Sequence, residues 1–117
     1  MVCLQETKLT DAAFTDLLGE QLAARGYTFA VLGQARWNGV AILSRIGLDD
    51  VRTGLSDEPG FPEPEARTVS ASCGGIRVRS VYVPNGREPD SDHYRYKLAW
   101  LAALRDAVAA DSEETLV

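Results

Sequence analysis

Met1-Val2-Cys3-Leu4-Gln5-Glu6-Thr7-Lys8 is the stretch on which the reading of this sequence turns. Four apolar residues run directly into a polar, charged end. A short apolar run of this kind reads as a fully buried strand. In open α/β sheets, ligands gather just outside the carboxyl ends of strands, so Glu6 stands where a sheet presents its chemistry. A carboxylate there has two uses. It binds a hard cation such as Mg²⁺, which takes one or two protein carboxylates and keeps several waters; or it pairs with Lys8 or caps the next helix.

Moving outward, Thr10 reads as the N-cap of a helix, with Asp11 at the positive end of its dipole. Phe14, Leu17, Leu18 and Leu22 share one face of that helix, and Gly26 closes it. Tyr27 to Leu32 and Val40 to Leu43 read as the strands of a hairpin, joined by the loop Gly33 to Gly39. Trp37 lies on that loop. A loop tryptophan ordinarily covers the edge of a core; an exposed one stacks on a base or enters a groove. Gly54 to Ala66, with Pro59, Pro62 and Pro64 among acidic residues, reads as a long irregular loop and is given no function. Arg67 to Cys73 and Ile76 to Val83 form an antiparallel hairpin across Gly74-Gly75, with Val69, Ala71 and Cys73 on one face. A long helix capped by Ser91 or Asp92 runs to about Asp111, with Tyr94, Leu98, Leu101, Leu104 and Val108 as its apolar stripe. Ser112 to Glu114 end it, and Thr115-Leu116-Val117 opens another strand. This order gives a mixed α/β fold with an antiparallel component.

A chain of 117 residues with 45% hydrophobic content makes one globular domain, residues 1–117. No stretch approaches the roughly 20 apolar residues that span a membrane, and no secretory leader opens the sequence, which points to the cytoplasm. Cys3 and Cys73 sit in apolar strand segments and read as buried free thiols, too few for a metal centre. Seventeen acidic residues against twelve basic ones give a net charge of −5. This argues against broad nucleic-acid affinity, which needs many phosphate contacts. It leaves room for a local basic rim and a bound cation that together hold one phosphate.

A second segment, Val81-Tyr82-Val83-Pro84-Asn85-Gly86, ends the last strand of the second hairpin. Pro84 cannot donate to a ladder and Asn85-Gly86 is turn chemistry. Tyr82 and Asn85 therefore lie at a strand end and in the loop after it, as Glu6 does. A tyrosine hydroxyl and an asparagine amide are neutral donors suited to a phosphate oxygen. The plainer reading is an amphipathic tyrosine at a strand terminus and an asparagine chosen for its turn.

Leu4-Gln5-Glu6-Thr7-Lys8 and Tyr82-x-Pro84-Asn85-Gly86 together resemble the exodeoxyribonuclease III and apurinic/apyrimidinic (AP) endonuclease family. Trp37-Asn38-Gly39-Val40-Ala41-Ile42-Leu43-Ser44 is similar to that family's intervening aromatic-x-Gly-Val-x-Leu-Leu segment. Tyr96-Lys97-Leu98-Ala99-Trp100-Leu101 is similar to its following helix. The likeness covers nearly the whole chain in order. Thr7-Lys8 and Pro84-Asn85-Gly86 look like the DNA-repair branch of the endonuclease/exonuclease/phosphatase superfamily rather than the sphingomyelinase or inositol-phosphatase branches.

The resemblance implies a four-layered α/β sandwich of mixed, largely antiparallel sheets. It also implies Mg²⁺- or Mn²⁺-dependent cleavage of the DNA backbone: incision at abasic sites, 3′ to 5′ exonucleolysis and removal of 3′ blocking groups. The implied partner is double-stranded DNA with abasic sites or 3′ ends, and the implied parent is a monomer. By position, Glu6 would be a metal ligand, Tyr82 the catalytic residue hydrogen-bonded to the phosphate, and Asn85 a second phosphate contact. Lys8 and Arg67 would be supporting electrostatic contacts, and Trp37 would touch the DNA groove. His93, at the start of the long helix, reads as solvated and is not the family's catalytic histidine. The family's asparagine-bearing first strand, Gly-Asp-x-Asn strand end, further aspartate and terminal Asp-His pair are not encoded. The chain then reads as a fragment truncated at both ends, expected to be inactive and marginally folded alone. The alternatives are an inactive remnant, a module that binds DNA or a partner, and a phosphatase of another superfamily branch.

Overall fold

The computed structural model describes residues 1–111. Eight elements follow in order: β1 (Val2–Gln5), α1 (Asp11–Ala24), β2 (Thr28–Leu32), β3 (Val40–Ser44), β4 (Asp49–Thr53), β5 (Thr68–Cys73), β6 (Ile76–Val81) and α2 (Asp92–Ala110). They build two three-stranded sheets, ordered β1-β3-β2 and β4-β5-β6, with every pair antiparallel. Among the described residues no helix is long and apolar enough to cross a membrane. The strand expected at Thr115-Leu116-Val117 and the break at Ser112 to Glu114 lie outside the described residues.

Successive strand residues point to opposite faces, and β3 uses both. Val40 and Ile42 meet Ala30 of β2 and, from the second sheet, Val69, Ala71, Cys73 and Val78. Ala41 and Leu43 turn the other way, onto Phe14 of α1. Burying one such side chain stabilises by about 1.5–3 kcal/mol, so this central strand holds both the inter-sheet core and the helix. The apolar run of β1 is not the buried strand expected of it. All of its residues but Leu4 are exposed, because among the described residues it pairs only with β3, along one edge. Cys3 is accordingly exposed and Cys73 buried.

Thr10 caps α1 as expected, its Oγ1 accepting from Ala13 N at 3.1 Å. Phe14 is buried, and Leu18 and Leu22 pack on its cluster. Leu17 is 61% exposed, since its position is rotated off that face. The β5–β6 hairpin is in the expected register, Cys73 facing Ile76 across Gly74-Gly75. β4 is a strand that polarity hid: Asp49-Asp50-Val51-Arg52-Thr53 is exposed throughout. Pairing with β5 and ion pairs tie it down: Asp50 with Arg52 and Arg77, and Arg52 with Asp111.

α2 covers the far face of the second sheet, but not with the expected stripe. Tyr96 and Trp100 are its buried side chains, while Tyr94, Leu98 and Val108 are exposed. The sheet face beneath it is polar: Thr68 and Ser70 of β5, and Arg79, whose Nη2 donates to Asp111 Oδ2 at 2.7 Å. Two aromatics with polar handles suit that face better than leucines. Tyr96 OH donates to Glu65 Oε1 at 3.0 Å and Trp100 Nε1 to Glu58 Oε1 at 2.9 Å. The segment from Gly54 to Ala66 is irregular, as expected, and these two bonds fix it to α2.

Candidate functional site

The two sheets are stitched together where β1 lies beside β6. Ser80 Oγ donates to Leu4 O at 3.1 Å and accepts from Gln5 Nε2 at 3.2 Å. That contact brings the ends of β1 and β6 out side by side. One residue beyond β1 is Glu6, and one beyond β6 is Tyr82. The Tyr82 hydroxyl donates to Glu6 Oε1 at 2.5 Å, the length of a charge-assisted O–H···O⁻ bond.

The chain around Glu6 is held by backbone. Thr7 N donates to Gly39 O at 3.3 Å, Lys8 N to Asn38 O at 2.9 Å and Arg36 N to Lys8 O at 3.2 Å. Gly39 N continues the network to Ala66 O at 2.9 Å. Four non-glycine residues in these touching segments have left-handed backbone: Glu6 (φ 56°), Lys8 (φ 56°), Arg36 (φ 70°) and Asn38 (φ 53°). Such conformations cost on the order of 1–3 kcal/mol each and gather at functional sites. Gly39, at φ 92°, is the one residue that fits where it is. A Cβ there would lie 2.1 Å from Thr7 Oγ1.

Glu65 joins the remaining walls. Its Oε1 accepts from Arg67 Nε at 3.1 Å and Tyr96 OH at 3.0 Å, and its Oε2 from Asn38 Nδ2 at 2.9 Å. Burial pushes the Glu65 carboxyl up, but the hydrogen bonds of Asn38 and Tyr96 and the charge of Arg67 outweigh it and hold the group below its ordinary value. Burial and the bond to Glu65 push the Tyr96 phenol up to about 12. Arg67, itself buried, donates from Nη1 to Tyr82 O at 3.0 Å and places its guanidinium 5.1 Å from the centre of the Tyr82 ring. The Tyr82 phenol is pushed up, mainly by its bond to Glu6 and then by burial. It therefore keeps its proton at neutral pH and acts as a donor.

All six residues singled out from the sequence, Glu6, Lys8, Trp37, Arg67, Tyr82 and Asn85, line one cleft of about 390 Å³. Three cations, Lys8, Arg67 and Arg87, and two carboxylates, Glu6 and Glu65, line it, with Arg67 paired to Glu65, so the cleft is locally basic in an acidic chain. Trp37 is 67% exposed; it covers no core edge, contrary to the usual behaviour of a loop tryptophan. Asn85 Oδ1 accepts from Arg87 N at 2.8 Å, which makes the turn and leaves the amide NH₂ to donate. His93 also lines the cleft, half-buried against Phe61 rather than solvated. Sequence reasoning passed over Gln34, Asn38, Phe61, Glu65 and Arg87. The Asn38-Gly39 pair, a left-handed turn signal within the β2–β3 loop, is the one available clue to Asn38.

A divalent cation fits this donor set in one particular way. Among the described residues no three His, Cys, Asp or Glu side chains converge to cage a metal. Mg²⁺ at phosphate-handling sites needs only one or two carboxylates and completes its shell with water and phosphate oxygens. Glu6 alone, exposed in a cleft with cations and neutral donors beside it, suits a hydrated ion of that kind.

The sequence profile described as the Endonuclease/Exonuclease/phosphatase family matches residues 1–117. No curated protein matches the chain. Among solved structures, a 3′ phosphatase, NExo, from Neisseria bound to product DNA hairpin is 36% identical with a TM-score of 0.87, covering 97% of this chain and 43% of its own. The 3′-5′ exonuclease NExo from Neisseria meningitidis is 37% identical with a TM-score of 0.85, covering 95% and 41%. An AP endonuclease from Archaeoglobus fulgidus is 36% identical with a TM-score of 0.80, covering 92% and 40%. The chain thus spans about two fifths of the length of the solved structures it matches.

Proposed function

Because the chain belongs to the endonuclease/exonuclease/phosphatase family, we propose that it carries the phosphate-gripping part of an exodeoxyribonuclease III-type DNA-repair nuclease. The reaction would be hydrolysis of phosphodiesters at DNA 3′ ends and abasic sites, within the four-layered sandwich of that family. The observation that carries this reading is the Tyr82–Glu6 hydrogen bond inside a locally basic cleft. It pairs a carboxylate that suits a hydrated cation with a neutral donor that suits a phosphate oxygen.

Glu6 would hold Mg²⁺ or Mn²⁺. When bound, the ion would polarise the scissile phosphate and stabilise the leaving oxygen. Tyr82 donates its phenolic proton to a non-bridging phosphate oxygen in place of Glu6 Oε1. Arg67 stiffens Tyr82 through its backbone and ring and adds positive charge behind it. Asn85 and Lys8 hold the same phosphate or its neighbour, and Trp37 contacts the groove. Preorganised donors of this kind are worth about 10²–10³-fold each in rate.

The test is the affinity of this chain for a labelled DNA duplex with a 3′-phosphate end, measured with and without Mg²⁺. Tighter binding in Mg²⁺ that Glu6→Gln abolishes is the expected result; affinity indifferent to both Mg²⁺ and Glu6 would contradict the reading. One Neisseria relative is named a 3′ phosphatase. That favours a second reading in which the same site removes a terminal 3′ phosphate. A polypeptide continuing into the rest of the family domain, given an abasic duplex and a 3′-phosphate duplex, separates the two.

A further inference from the structure

The sequence contains one histidine, His93, and the fold brings it to the wall of the cleft. It stands in the first turn of α2, just after the capping Ser91 and Asp92. Its ring meets that of Phe61 edge-on, with centroids 4.8 Å apart and planes at 65°. Phe61 stacks in turn on the buried Tyr96 at 5.8 Å. Contacts of this kind hold a ring in place without engaging its polar atoms. Among the described residues neither nitrogen of His93 has a hydrogen-bond partner, and neither is sealed from solvent. The imidazole is therefore fixed by its ring while both nitrogens stay available, as two donors when it is protonated.

The charges around His93 select its ligand. On its own helix, Asp92 is paired with Arg95. Phe61 and Tyr96, packed in line with it, carry no charge, and the Tyr96 hydroxyl is taken by Glu65. Elsewhere in the cleft Arg67 is paired with Glu65, and Glu6 accepts from Tyr82. Lys8 and Arg87 have no acidic partner among the described residues. Two such cations, an available imidazole and the positive end of the α2 dipole in one cleft suit an anion. We propose that His93 is a further contact to the DNA backbone, donating from its protonated ring to a phosphate of the duplex next to the one held by Tyr82. Histidine is the side chain whose charge ordinarily changes between about pH 5 and pH 8. Binding of the duplex then takes up a proton, and affinity rises as pH falls. The inference rests on the DNA-phosphate reading of the cleft given above and adds a proton-dependent contact to it.

The probe is a labelled DNA duplex with 3′-hydroxyl ends, which carries phosphodiesters and no titrating phosphate monoester. Its affinity for the 117-residue chain is measured by anisotropy in Mg²⁺, from about pH 8 down to about pH 5.5. Wild-type binding tightens about ten-fold over that range, and its logarithmic salt slope steepens by about 0.9, the mark of one added phosphate contact. His93→Gln, with an unchanged circular dichroism spectrum, stays at the weak level throughout, and His93→Lys stays at the tight level throughout. The single histidine NMR signal titrates at a higher pH in the complex than in the free chain. If wild-type affinity is flat across pH, if His93→Gln keeps the wild-type dependence, or if the histidine signal titrates alike with and without DNA, the contact is refuted while the phosphate site stands. If the wild type fails to bind the duplex at every pH, both readings fall.

Discussion

Tyr82 donates its phenolic proton to Oε1 of Glu6 at 2.5 Å, across 76 positions of sequence. Neither residue belongs to a strand; each is the first residue beyond one. The bond therefore reports the relative placement of the two sheets, and the Ser80 bridge to Leu4 and Gln5 sets that placement. In the free protein the phenol holds the proton and the carboxylate accepts it in a hydrogen bond. A phosphate arriving with a cation would give each a better partner.

Tyr82→Phe removes the donor and keeps the ring that Arg67 overlies. Because the bond lies at the surface, the loss of stability should be about 1 kcal/mol or less. In a polypeptide that turns over DNA, kcat should fall by at least about 10²-fold with KM little changed, the pattern of an interaction made in the transition state. Urea unfolding and steady-state kinetics check the two halves separately.

Glu65→Ala leaves Arg67, Tyr96 and Asn38 without their common acceptor. Arg67 is the buried cation among them, and stranding buried donors costs about 2–3 kcal/mol. The urea midpoint should drop while the slope of the transition stays constant. A change within error of zero would show that the network contributes nothing.

The same network sets two pH limits. The folded Glu65 carboxyl titrates below its ordinary value, so its stabilisation is present above the unfolded carboxylate pKa and is lost as pH falls through the folded one. Tyr96 is shifted the other way. Its stabilisation is complete below the ordinary tyrosine value of 10.0 and is lost as pH rises towards about 12. Thermal midpoints measured across pH should fall at both ends, and Glu65→Gln should flatten the acid limb.

Gly39→Ala tests the loop geometry under Glu6. The new methyl would meet Thr7 Oγ1 at 2.1 Å on a backbone at φ 92°. A cost above about 1 kcal/mol follows from the backbone alone. The clash should also push Thr7 outward and weaken the Glu6–Tyr82 bond. A variant as stable as the wild type would mean that the Glu6 and Asn38 segments are not locked together.

How far the sequence revealed this site depended on the kind of signal. The β5–β6 hairpin was legible because Gly74-Gly75 fixes register within a few residues. The helix cap at Thr10 was equally local. The six cleft residues were reached through two strand-end motifs, since such motifs mark where side chains leave the core. β1 misled because an apolar run does not say how many neighbours a strand has. β4 was invisible because its residues are polar and exposed, and what ties it down is pairing with β5 and ion pairs with residues as distant as Asp111. The buried face of α2 follows the polarity of the sheet beneath it, through Tyr96 and Trp100, rather than the leucine spacing. Glu65 and Phe61 lay in a loop without periodicity, where only tertiary contacts give a residue its role.

The most direct measurement of the central claim, that Glu6 and Tyr82 serve one cation-assisted phosphate, is the NMR signal of the Tyr82 ring carbon bearing the hydroxyl. It would be recorded in ¹³C-tyrosine-labelled chain as Mg²⁺ and then a 3′-phosphate duplex are added. The signal should move with Mg²⁺ as Glu6 turns to the ion, and move again with DNA as the phenol finds the phosphate. Both steps should vanish in Glu6→Gln. A Tyr82 signal that stays fixed while the DNA binds would show that the two residues form a structural contact and nothing more.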